Sequence, residues 1–81
     1  MNKDSNQEKD FLKEQLEWTK EQIQILDKID NKLHEMKAIA VYVTEHSLIH
    51  EETKKFQAQL LELQNDVKLL EKQLYYNQLP N

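Results

Sequence analysis

The sequence predicts an all-α fold: two long antiparallel helices forming a coiled-coil-like hairpin. Three observations carry that expectation. The 81-residue chain has no glycine and one proline, Pro80, so the residues that usually punctuate structure are almost missing. Apolar residues recur at alternating steps of three and four along both halves, the period of a helix face. Between the halves, Ile49 follows Val43 by six residues, where an unbroken heptad seam requires seven.

The first arm is expected over residues 6–44, after a flexible stretch at 1–5. "SNQE" at residues 5–8 has the form of a capping box: Ser5 can accept from the Glu8 amide, and Glu8 can reach back to Ser5. Leu12, Leu16, Thr19, Ile23 and Leu26 then follow at steps of four and three, and Ile29, Leu33, Met36, Ala40 and Val43 continue the line. The 23–26–29 spacing repeats a step of three, a stammer that overwinds a supercoil locally. Asp27, Asp30 and Asn31 lie nearby, but no capping residue followed by Glu supports a break there, so one helix is expected.

The turn falls in "AIAVYVTEHSLIHEE", residues 38–52. Val41, Tyr42, Val43 and Thr44 are poor helix formers, and Ser47 is a credible new N-cap. In a single straight rod both apolar stripes stay wet; folding back at 44–50 lets each arm cover the other. The second arm is expected over 48–76. "EETKK" places acids near the positive helix start and spaces Glu51 and Lys55 as an i,i+4 pair. Ile49, Thr53, Phe56, Leu60, Leu63, Val67, Leu70 and Leu74 then alternate without interruption, the strongest signal in the chain. Asn77 can take the left-handed helix-ending conformation and Pro80 disfavours helix at Leu79, so the hairpin is expected over 6–77 with a flexible tail at 78–81.

Leu33, Met36, Ala40 and Val43 are expected to zip against Phe56, Leu60, Leu63, Val67 and Leu70. A second apolar line flanks that stripe: Phe11, Trp18, Ile25 and Ile39 stand at multiples of seven from one another. Leu69 with Tyr76, and Leu61 with Tyr75, are similarly spaced on the second arm. One partner helix does not cover so broad a face. Phe11, Trp18, Ile25 and Ile39 are therefore expected to be the intermolecular face, through which hairpins pair into a four-helix bundle or dock on another helical protein.

Composition narrows the function classes. The formal net charge is −4 and all eleven cations are lysines, interspersed with acids. There is no arginine fork for phosphate or guanine and no basic stripe, which argues against nucleic acid and an anionic membrane surface. The longest apolar run, residues 38–43, is far short of the ~20 residues that span a bilayer. "MNKDSNQEKD" lacks the basic-then-apolar order of a secretory signal, so a soluble cytoplasmic protein is expected. Zero cysteines exclude disulfides and thiolate metal sites.

The sequence offers little catalytic chemistry. His46 and His50 stand i,i+4 with Glu45 and Glu51 beside them, the one candidate metal pair, but Ser47 occupies the place where the zinc-protease pattern needs Glu. Exposed turn histidines are the expectation, with no metal and no cofactor. No Ser-His-acid grouping and no glycine-rich phosphate loop is present, and the carboxylates lie opposite the stripes. A non-enzymatic module with protein partners, its own copies included, is the expected function; a metal-responsive helix pair at His46 and His50 is an alternative.

"LDKIDNKLHEMKAIAV", "FQAQLLELQNDVKLL" and "YYN" resemble the helical hairpin in the amino-terminal half of the bacterial flagellin rod domain, over residues 26–77. Leu33, Met36, Lys37, Ile39, Ala40, Val41, Gln57, Leu63, Val67, Leu70, Tyr76 and Asn77 occupy matching places. The sequence departs from that pattern at the turn, at Gln78 where flagellins have Gly, and at Glu35 where many carry Arg. The resemblance implies a helical hairpin with a helix-packing role, and as a further alternative a flagellin-related or flagellar assembly protein.

Overall fold

The computed structural model describes residues 3–76, which form two helices, α1 over Lys3–Glu45 and α2 over His50–Tyr76. They lie antiparallel. The Tyr42 ring packs 5.3 Å from that of Phe56, and farther from the turn Lys32 Nζ stands 3.6 Å from Asp66 Oδ2. The predicted all-α hairpin is the observed fold. It is elongated, 72 × 19 × 10 Å, with a radius of gyration of 20.2 Å where a compact chain of this length has about 12 Å.

The seam between the helices is a regular heptad on both sides. On α2 the half-buried or buried positions include Thr53, Phe56, Leu60, Leu63, Val67, Leu70 and Leu74, as the sequence predicts, whereas Ile49, expected to open the same stripe, is exposed ahead of the first turn of α2. On α1 they are Gln15, Trp18, Gln22, Ile25, Ile29, Lys32, Met36, Ile39 and Val43, at unbroken steps of three and four. Combined with the ring and ion-pair contacts, this register sets Val43 level with Phe56, Met36 with Leu63, Ile29 with Leu70 and Ile25 with Leu74. Ile25, Leu63 and Val67 are the apolar residues under a tenth exposed among those described.

This α1 phase corrects two expectations. Leu33 and Ala40 are exposed rather than in the seam, while Ile25 and Ile39 sit inside it rather than on an outer face. The apparent stammer at 23–26–29 has a simple cause. Leu12, Leu16, Thr19, Ile23 and Leu26 belong to an outer line of α1, and Ile29, Met36 and Val43 belong to the seam. Reading them as one stripe crosses from one line to the other at that point. The helix itself is continuous.

The helix boundaries also differ from expectation. α1 begins at Lys3 rather than Asn6, so residues 3–5 are helical; no glycine or proline stands there to stop the helix. At the turn, the His46 amide still donates to the Tyr42 carbonyl (3.1 Å), closing α1. The Thr53 amide donates to the Ile49 carbonyl (3.0 Å), which puts Ile49 rather than Ser47 at the N-cap of α2. The expectations for Asn77, Pro80, the tail at 78–81 and the first two residues lie outside the described residues.

Candidate interaction surface

The register places Tyr76, where α2 ends, level with Ile23 of α1. About twenty α1 residues, some 30 Å of helix, therefore extend beyond the described end of α2. Along this extension and into the paired region runs the outer line: Leu12, Leu16, Thr19, Ile23, Leu26, Asp30 and Leu33, again at steps of three and four. Its apolar members are about half to two-thirds exposed, from 49% at Leu33 to 64% at Leu12. On a heptad helix this line is turned roughly a quarter of the circumference from the seam, so α2 does not reach it.

The residues expected to form an outer face divide. Phe11 is exposed, Trp18 half-buried, Ile39 half-buried in the seam and Ile25 buried at 8%. Of the residues expected to zip the hairpin, Met36, Val43, Phe56, Leu60, Leu63, Val67 and Leu70 lie in the seam. Sequence reasoning missed Gln15, Gln22 and Lys32 as seam positions because their polar heads hide the heptad. Lys32 keeps its ammonium at the edge, against Asp66 on the other helix. Gln22 is different: it is buried at 8% and its Nε2 lacks a hydrogen-bond partner.

The histidines are separated by the helix break. His46 follows the end of α1, its ring stacked 4.0 Å from Tyr42 and its Nδ1 2.9 Å from the Tyr42 carbonyl. His50 opens α2 on the far side of the connection, so the two do not share one helix face. Among the described residues no group of three His, Cys, Asp or Glu is placed to hold a metal ion. His34 is exposed, its Nδ1 2.8 Å from the Asp30 carbonyl. Surface concavities occur on a single helix, as beside Gln7, Glu8, Phe11 and Leu12, and along the groove between the helices, as at Lys32, Glu35, Glu62 and Asp66; all are open to solvent.

No helix among the described residues is long and apolar enough to cross a membrane. Apart from Lys32 with Asp66 across the helices, several polar contacts among the described residues are local. Lys20 and Glu17 pair at 3.8 Å within α1, and the Thr19, Thr44 and Thr53 hydroxyls donate to carbonyls one turn earlier. The surface thus offers an apolar line bordered by charges, suited to another helix. Comparison with protein-family models, curated proteins and solved structures returned no match, so the likeness to flagellin rests on the residues quoted above.

Proposed function

We propose that this chain is a non-enzymatic helical protein–protein interaction module that associates with its own copies. One observation carries the reading: five large apolar side chains of α1, at residues 12, 16, 23, 26 and 33, form a heptad line outside the hairpin seam. Scattered exposed leucines need no explanation, but a contiguous line at coiled-coil spacing is a partner-helix surface.

The energetics favour the same reading. Among the described residues no side chain is fully buried, and the seam of one hairpin is a thin source of stability. Covering the outer line adds roughly 25 cal/mol for each Å² of apolar surface removed from water. Sedimentation equilibrium on the full chain tests the proposal. A dimer at micromolar concentration is expected; a monomer at several hundred micromolar contradicts it.

A further inference from the structure

We infer that two copies pair through the outer line of α1, with the two α1 helices antiparallel and the two-fold axis between Ile23 and Leu26. This rests on the self-association proposed above and adds the surface, the orientation and the register. In an antiparallel heptad pair, each a-type position faces a d-type position of the other helix. Placing the axis there sets Leu16 against Leu33 of the second copy and Ile23 against Leu26 of the second copy. Thr19 meets Asp30 of the second copy. Every apolar member between residues 16 and 33 meets an apolar one, and the two polar members meet each other.

Other registers fail this sorting. Sliding the pair by one heptad, with the axis at residue 21, puts Leu12 against Asp30 and Thr19 against Ile23. The axis between Ile23 and Leu26 also places Lys20 beside Asp27 of the second copy, twice by symmetry, at the flanking position where antiparallel helices exchange charges. Lys20 is exposed and held only by its 3.8 Å contact to Glu17, so it is free to shift toward that acid. Leu12 meets Lys37 of the second copy, whose aliphatic stem can cover it while the ammonium stays wet.

The five apolar side chains expose on the order of 500 Å² per copy, so they bring at most about 1,000 Å² to the pair, and the flanking stems add to that toward the ~1,000 Å² that a specific interface buries. The unequal arms also fit. Residues 4–20 of one copy lie alongside residues 29–45 of the other, the part of α1 that carries α2. Each α1 extension is thereby docked on the closed end of the neighbouring hairpin, giving three helices side by side over each half of the pair and the two α2 helices level with one another only around residues 23–26.

Cysteine cross-linking tests the register, since the chain has no cysteine of its own. The L16C and L33C variants are oxidised separately and as an equimolar mixture. The mixture should yield a disulfide-linked dimer in at least roughly tenfold excess over either variant alone. Like positions stand about 25 Å apart in the antiparallel pair, beyond the ~5.5 Å that a disulfide spans. Efficient 16–16 linkage, or a dimer by sedimentation that forms neither link, overturns the register and leaves self-association standing. A monomer at several hundred micromolar overturns both. As an independent measure, K20D and D27K should each weaken the dimer roughly threefold or more, and the double variant K20D/D27K should restore it. Failure of the double variant to recover affinity counts against the pairing.

Discussion

At the scale of single residues, burial and exposure separate side chains that look alike in the sequence. Leu63 and Leu33 are both leucines of an apparent stripe, yet Leu63 is 8% exposed and Leu33 49%. Leu63→Ala should cost about 2–5 kcal/mol of unfolding free energy, read by denaturant titration. Leu33→Ala should change the protomer's stability by less than about 1 kcal/mol, because alanine's helix propensity offsets the small loss of burial. Gln22 gives a change of opposite sign. Its buried Nε2 has no partner, so Gln22→Leu should raise stability by about 1–3 kcal/mol and shift the thermal midpoint upward by several degrees. Polar residues in a seam were the part least legible in the sequence. Gln15, Gln22 and Lys32 read as surface by type, and their burial shows only in the structure; of the three, Lys32 lies where α2 is described, beside Asp66. Phe56 and Val67 were legible because apolar type and heptad phase agree on them.

At the scale of elements, both helices and the turn followed from spacing. The phase shift between Val43 and Ile49, falling among poor helix formers, marked the place of the reversal, although Ile49 itself is exposed and the α2 seam opens at Thr53. The α2 seam was legible from Phe56 to Leu74 because its heptad positions there are all apolar and the flanking Leu61, Leu69, Tyr75 and Tyr76 do not form a continuous heptad line. On α1 two lines of similar hydrophobicity run in parallel, and the richer in leucine is the outer one. Composition cannot choose between them; the geometry of the pair does. The cap of α2 was misplaced because Ser47 has the better side chain, while the chain reverses two residues later. Ile49 occupies the N-cap with a side chain that cannot accept a hydrogen bond. Ile49→Ser should therefore stabilise the hairpin by roughly 0.5–2 kcal/mol, measured as an increase in the denaturant midpoint with an unchanged slope.

For the whole molecule, the decisive quantity is how little of it is interior. The chain exposes 6945 Å² where a compact monomer of 9.8 kDa exposes about 5,200 Å². Stability of such a rod should depend on protein concentration if copies cover one another's apolar lines. A thermal midpoint that rises by several degrees from low to high micromolar concentration is expected, and a midpoint independent of concentration would speak against association. Substituting the outer line, for instance by Ile23→Glu, should abolish that dependence while the far-ultraviolet helical signal at low temperature is kept. Ile25→Ala, two residues away but inside the seam, should instead lower the midpoint at every concentration.

The unequal lengths of the arms have one more consequence, which concerns the order of melting. Trp18, the single tryptophan, is half-buried and not without a partner, yet it lies beyond the level of Tyr76, the described end of α2, near the amino-terminal end of α1. Its fluorescence therefore monitors the extension, whereas ellipticity is dominated by the paired region. In dilute solution the emission should change at a lower temperature than the ellipticity, and the two curves should merge as concentration rises and neighbours brace the extension.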